Sequence, residues 1–286
     1  MRVLVTGARG MLGSDLCEVL SDRHEVTGVD IEEGDITEPE VAGRLVGRAR
    51  PQVVVHCAAY TDVDRSESEP EKAYRVNADG AGSVAAACRD AGCAMVYLST
   101  DYVFDGKSQR PYKEDDKPAP LGVYGASKLD GERRVREATP RHFIVRTSWL
   151  FGLRGRNFVD TIIRLAQDRD TLEVVNDQVG SPTFTRDLSR GLALVVESDR
   201  FGTYHACNDG TCSWFDFARE ILRAWGNTRT RVLPTDSAKL GRPAKRPALS
   251  VLDTKLFRST FGLAMPHWKD ALAEYLDLKR RHEARQ

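Results

Sequence analysis

Between Arg2 and Thr147, short apolar runs alternate with helical stretches, and this alternation constrains the fold of the 286-residue chain more than any other feature. Arg2–Thr6, Glu25–Asp30, Val53–Cys57, Ala94–Leu98 and His142–Thr147 read as strands. The run Val53-Val54-Val55 is β-branched and has no polar alternation, as expected of a strand buried on both faces. Between the strands, Met11–Leu20 places Leu12, Leu16, Val19 and Leu20 on one helical face. Pro39–Arg48 begins with a proline suited to a first helical turn. Pro70–Ala91 reads as one long helix rich in small residues from Gly80 to Ala87, and Tyr124–Arg136 as another. Strands that regularly alternate with helices predict an α/β fold with a doubly wound parallel sheet. Past Trp149 the alternation weakens. Asn157–Gln167, Thr185–Glu197, Ser213–Trp225 and Trp268–Arg280 read as helices, and the proline-containing stretch Pro234–Ala248 as loop. Residues 1–150, joined by part of 185–230, are therefore expected to form the sheet domain. Residues 151–286 are expected to supply mainly a smaller α/β lobe covering the carboxyl ends of its strands.

The segment Thr6-Gly7-Ala8-Arg9-Gly10-Met11-Leu12-Gly13 joins the first strand to the first helix with the spacing G-x-x-G-x-x-G. Glycines allow a tight turn and let a pyrophosphate approach the backbone, and the helix N-terminus offers it free N–H groups. Three glycines in seven residues also suit an ordinary turn, so position matters: this loop opens a Rossmann-type βαβ unit. Asp30, at the end of the second strand, stands where an acid accepts hydrogen bonds from the adenosine ribose. It favours NADH over NADPH, whereas Arg9 offers an opposing charge for a 2′-phosphate. Either cofactor stays open.

Tyr124-Gly125-Ala126-Ser127-Lys128 places a phenol and an ammonium four residues apart on one helical face. An ammonium at Lys128 is expected to lower the Tyr124 phenol from its usual pKa of ~10. Y-x-x-x-K alone is common by chance, and here its place after the fourth strand gives it weight. Thr100, in Ser99-Thr100-Asp101-Tyr102, ends that strand at the edge where ligands sit in such sheets. Its hydroxyl is a candidate ligand for a carbonyl oxygen, with Ser99 as an alternative.

Composition narrows the function classes. Lys plus Arg equals Asp plus Glu at 42 each, so no net field draws the chain to nucleic acid or to a membrane. The six cysteines contain no C-x-x-C pair and read as reduced, in keeping with a cytoplasmic protein, and the scattered histidines suggest no metal site.

Together these residues resemble the extended short-chain dehydrogenase/reductase superfamily and, within it, the dTDP-4-dehydrorhamnose reductase family. The narrower likeness rests on Ala58–Asp64, Glu67–Pro70, Ser99–Phe104, Val123–Gly125, Arg146–Trp149, Asn157-Phe158, Asn176–Gln178 and Arg246-Pro247, which span nearly the whole chain. The resemblance implies reduction of a dTDP-sugar ketone by NADH or NADPH, in a monomer or homodimer. It assigns Tyr124 as proton donor, Lys128 as its partner and cofactor anchor, and Thr100 as carbonyl ligand. Gly7, Gly10, Met11, Leu12 and Gly13 would meet the pyrophosphate, and Asp30 the ribose. Asp35 and Ile36 would flank the adenine, and Ala59, Tyr60 and Thr61 would line the nicotinamide side. Thr100, Asp101, Tyr124 and Trp149 would contact the sugar nucleotide, with Arg242, Lys245 and Arg246 as candidates for its diphosphate. Some bacterial members dimerise through a metal bound by glutamates. Here Asp15 and the segment Thr185-Arg186-Asp187 depart from that pattern. Another nucleotide-sugar ketoreductase, an epimerase, or a regulatory subunit resembling the β subunit of methionine adenosyltransferase would share the fold. The intact Thr100, Tyr124 and Lys128 favour an enzyme.

Overall fold

In a computed structural model, which describes residues 1–284, the first half runs β1 (Arg2–Thr6), α1 (Met11–Ser21), β2 (Glu25–Val29), α2 (Pro39–Ala49) and β3 (Val53–His56). It continues through α3 (Val63–Ser68), α4 (Pro70–Tyr74), a wide π turn (Arg75–Asp79), α5 (Gly80–Ala91), β4 (Ala94–Thr100), α6 (Val123–Ala138) and β5 (His142–Thr147). The second half comprises β6 (Leu150–Phe151), α7 (Phe158–Asp168), β7 (Thr171–Val175), β8 (Val179–Gly180), β9 (Thr183–Phe184), α8 (Thr185–Val196) and β10 (Gly202–His205). β11 (Cys212–Ser213), α9 (Trp214–Trp225), β12 (Arg231–Thr235), α10 (Ser237–Leu240), α11 (Lys255–Phe261) and α12 (Trp268–Glu283) follow.

The expected parallel sheet is present, with six strands in the order β10-β5-β4-β3-β1-β2. The chain moves outward from β1 to β2, then returns to β3 and proceeds the other way. The direction of winding therefore changes between β1 and β3, which leaves a crevice beyond the ends of those two strands. Side-chain alternation explains the layers. Val3, Val5, Val53, Val55 and Val96 pack on one face with α1 and α8 through Leu16, Leu188 and Leu192. Leu4, Val54, Met95 and Tyr97 pack on the other with α2 and α5 through Val46, Ala81 and Val84. A separate apolar cluster joins Phe151, Ile162, Phe184, Phe217, Trp268 and Tyr275 from α7, α9, α12 and short strands of the second half.

Three details differ from the sequence reading. The helix expected over 70–91 is broken by the π turn, from which the Asn77 side chain reaches the backbone of Tyr60. β10 completes the main sheet against β5, although Gly202-Thr203-Tyr204-His205 is too short to display a strand pattern. The stretch expected to be loop begins within β12, which pairs in parallel with β7 from about sixty residues earlier, and then forms α10. Among the described residues, no helix is long and apolar enough to cross a membrane.

Two buried histidines give the fold an acid sensitivity. His56 shares a 2.8 Å hydrogen bond with the Thr6 hydroxyl, and burial pushes its pKa down to about 3. Burial and the neighbouring Arg146 do the same to His205, also to about 3. Unfolded, each would bind a proton near pH 6.5. The stability that comes from holding them neutral is full above that pH and is lost as pH falls toward 3. The stability gap between the protein and His205→Gln should therefore move in the variant's favour between pH 6.5 and 4 in urea melts. A gap constant with pH would mean that His205 titrates normally in the folded state.

Candidate active site

The crevice at the change of winding opens into a cleft of about 1050 Å³. Its floor begins with the glycine loop. Gly7 has φ +70°, and a Cβ there would come within 2.6 Å of the Ala58 backbone nitrogen. A Cβ on Gly13 would overlap the Gly7 carbonyl oxygen. Gly10 precedes helix α1 as its N-cap, with no side chain capping the free N–H groups. A bare helix N-terminus in a cradle with no room for a Cβ has the form a dinucleotide pyrophosphate requires. Met11 and Leu12 line the same wall. Asp30 closes the far end, its carboxylate held by the backbone N–H groups of Arg9 and Ile31, both at 2.9 Å. Asp35 and Ile36 also line this end. The Asp35 carboxylate is already engaged by Thr37 and by Arg75, the latter at 3.0 Å.

Beyond β3, Ala59 and Thr61 face the cleft, but Tyr60 does not. Its phenol donates to Glu69 at 2.9 Å. Its backbone N–H and carbonyl are both bound by the Asn77 amide, at 2.8 and 3.0 Å. The same amide donates to the Ser127 hydroxyl at 3.0 Å, which in turn donates to the Tyr124 carbonyl at 2.9 Å. Asn77 thus ties the loop after β3 to the first turn of α6. The only hint in the sequence is a polar, helix-unfavourable residue shortly before the run of small ones.

Thr100, Tyr124 and Lys128 are brought together at the end of β4. Thr100 caps a short turn, accepting from the Tyr102 N–H at 3.2 Å and donating to Asp101 at 3.0 Å. The Ser99 side chain is committed elsewhere, donating to Glu132 at 2.7 Å. Gly125 lets α6 start close against this turn, since a Cβ there would overlap the Tyr102 carbonyl. The Tyr102 and Tyr124 rings meet edge to face, with centroids 5.6 Å apart.

The electrostatics correct one expectation. Burial pushes the Tyr124 phenol up to about 12, offset in part by its hydrogen bond with Thr100. The phenol thus stands above its ordinary value and not below it. The ammonium rests 4.2 Å above the Tyr97 ring, and burial pushes the Lys128 pKa down to about 7. Four residues along a helix bring two side chains to one face, but burial of both outweighs their mutual influence in this state. Burial also pushes the Asp101 carboxyl up to about 7, against hydrogen bonds from Ser250 and Thr100.

The opposite wall comes from the second half of the chain. Trp149, at φ +49°, lines the cleft and stacks on Trp214 with centroids 3.6 Å apart. Arg156, Asn157, Phe158, Thr161 and Arg242 complete this wall. The sequence marks the Asn157-Phe158 pair only through its family likeness. Arg242 and Arg246 both pair with Asp64 at the start of α3, at 3.1 and 2.9 Å, and so strap the loop after α10 to the sheet half.

A cleft of this kind, with a glycine cradle facing a Thr-Tyr-Lys cluster across a parallel sheet, places the chain among the extended short-chain dehydrogenase/reductases, a class of nicotinamide-dependent oxidoreductases. Comparison with known proteins narrows this. The RmlD substrate binding domain family matches residues 1–281. A dTDP-4-dehydrorhamnose reductase of Streptomyces griseus is 46% identical over 280 residues, covering 96% of this chain and 92% of the relative. A crystal structure of a dTDP-4-dehydrorhamnose reductase from Clostridium acetobutylicum superposes with a TM-score of 0.95 at 42% identity, covering 98% of this chain and all of that one. The corresponding protein of Bacillus anthracis, solved in complex with NADP, gives 0.93 at 42% identity, covering 96% and 98%. The chain belongs to the dTDP-4-dehydrorhamnose reductase family.

Proposed function

We propose that the protein reduces the C4 ketone of dTDP-4-dehydro-β-L-rhamnose to give dTDP-L-rhamnose, with Tyr124 as proton donor. The observation that carries this reading is the convergence of Thr100, Tyr124 and Lys128 in the one cleft that the glycine loop opens. Bound NADH or NADPH supplies the hydride. Gly7 and Gly10 to Gly13 hold the pyrophosphate, Asp30 the adenosine ribose, and Ala59 and Thr61 the nicotinamide end. Lys128 anchors the nicotinamide ribose and, once charged, favours the phenolate that Tyr124 becomes. The Tyr124 O–H bond breaks as the new O–H bond forms on the sugar oxygen. Thr100 donates a hydrogen bond to that oxygen as negative charge develops, which is where a fixed donor lowers the barrier. Trp149 would offer an apolar face to the sugar nucleotide, and Arg242, which lines the cleft, would meet its diphosphate. The two halves act as cofactor domain and substrate lobe.

The test is cofactor oxidation by purified protein with dTDP-4-dehydrorhamnose generated in place, with dTDP-rhamnose identified by chromatography. Stoichiometric oxidation and product formation are expected. Cofactor binding without turnover of this sugar would remove the assignment, and nucleotide retained through purification would point instead to an epimerase. Thr100→Val should lower kcat about a hundredfold, as loss of one oxyanion donor does elsewhere, and Thr100→Ser should restore most of it. Wild-type kcat in the valine variant would remove Thr100 from the reaction.

A further inference from the structure

The adenosine end of the cleft contains an arrangement that bears on which nicotinamide dinucleotide it takes. Arg9, inside the glycine loop, is a cation placed to meet a ribose 2′-phosphate there, but its guanidinium is already occupied. It donates to both Glu33 carboxylate oxygens, at 2.5 and 2.8 Å, and to Glu32 at 2.7 Å. Glu33 is held in place because it also accepts the Asp30 backbone N–H at 2.7 Å. The pairing with Arg9 keeps the Glu33 carboxyl down at about 2, so it is ionised at any physiological pH. Asp30 lies in the same corner with both oxygens turned in by backbone N–H groups. Two carboxylates thus hold the guanidinium, and a third, that of Asp30, sits beside them on the Arg9 backbone N–H. A 2′-hydroxyl can donate to such a corner, whereas a 2′-phosphate would bring a further charge of about −1.5 to −2 and would have to displace Glu33 to reach Arg9.

We propose that Glu33 and Glu32 sequester Arg9 and so make this corner select NADH over its 2′-phosphorylated counterpart. The selection is then a property of the segment Asp30-Ile31-Glu32-Glu33 together with Arg9, and Asp30 alone does not set it. The inference rests on the dinucleotide-reductase reading above but not on the identity of the sugar.

The test is the pair of dissociation constants for NADH and NADPH, measured without sugar by energy transfer from tryptophan to the dihydronicotinamide. The protein should bind NADH about tenfold or more tighter than NADPH, the scale expected from one uncompensated charge contact at a surface. Replacing both acids (Glu32→Gln with Glu33→Gln) should shift the NADPH-to-NADH ratio about tenfold toward NADPH, and adding Arg9→Ala to that variant should abolish the shift. In the otherwise unchanged protein, Arg9→Ala should hardly move the ratio. Equal affinity for the two cofactors, or a ratio unmoved by the double replacement, would overturn the proposal. A protein that shows the predicted ratios but reduces no dTDP-4-keto sugar would keep this inference and remove the sugar assignment.

Discussion

Tyr124→Phe is expected to lower kcat about a thousandfold while leaving cofactor affinity within a fewfold of the parent, since general acid catalysis commonly contributes 10²- to 10⁴-fold. The substitution removes one oxygen from a side chain that is otherwise held by contacts phenylalanine also makes. The edge-to-face packing on Tyr102 and the close start of α6 against the turn after β4 need only the ring and Gly125. The lost hydroxyl is the one paired with Thr100. With KM nearly unchanged and kcat reduced, the loss falls on an interaction made in the transition state and not on substrate binding. Stopped-flow measurement of a single turnover checks this directly, because slow product release would otherwise mask the chemical step. A variant whose single-turnover rate equals that of the parent would show that the proton comes from another donor, and the buried Asp101 carboxyl beside Thr100 would then be the next residue to replace.

The high phenol pKa has a consequence for the pH profile. At about 12, Tyr124 is a reluctant acid, and a positive charge at Lys128 is what would make it a better one. In the structure described here, Lys128 sits at about 7 because it is buried against Tyr97. Its folded pKa is depressed relative to the unfolded value, so the ammonium form is lost as pH rises through 7. The kcat profile measured from pH 6 to 9 should accordingly decline above neutrality, and a flat profile would mean that Lys128 keeps its charge during turnover.

How legible this site was in the sequence depended on how local its determinants are. The glycine cradle, Thr100, and the Tyr124–Lys128 pair each follow from a few adjacent residues in one element. The strands β1, β3, β4 and β5 announce themselves because burial on both faces leaves apolar runs with little polar alternation. Asn77 was not legible. Its role depends on a π turn that no short pattern specifies, and on partners at positions 60 and 127. Tyr60 shares a motif with Ala59 and Thr61, yet Asn77 and Glu69 hold it outside the cleft. The parallel pairing of β7 with β12 spans about sixty residues, and neither strand shows it alone. Charged residues were the least legible of all. Glu33 and Glu132 look like ordinary solvated acids in the sequence, and only the fold distinguishes the exposed one that holds Arg9 from the one that is wholly enclosed.

Glu132 carries the second large prediction. Glu132 and Arg146 are 0% and 2% exposed and form a two-pronged ion pair at 2.7 and 2.8 Å. Burial works against the Glu132 charge, but Arg146 together with Ser99 and Arg136 holds the carboxyl below its ordinary value. The Ser99 hydroxyl and Arg136 complete its hydrogen bonds, and the Arg146 guanidinium lies 5.2 Å from the Phe104 ring. Glu132 lies one helical turn beyond Lys128, and Ser99 immediately precedes Thr100. The pair therefore clamps α6 onto β4 and β5 directly behind Thr100, Tyr124 and Lys128. Glu132→Ala would leave a guanidinium buried without its partner, which typically costs about 3–5 kcal/mol. In a protein of this size that corresponds to a loss of roughly 6–10 °C in Tm. Because the penalty comes from the stranded charge, Glu132→Met combined with Arg146→Leu should lose much less than either single replacement. This non-additivity is what distinguishes an enclosed pair from two independent surface charges. Thermal melts of the two single variants and the double variant decide it. A Glu132→Ala loss below about 1 kcal/mol, or strictly additive losses, would mean that water reaches the pair and that the anchoring of Tyr124 against Thr100 comes from apolar packing alone.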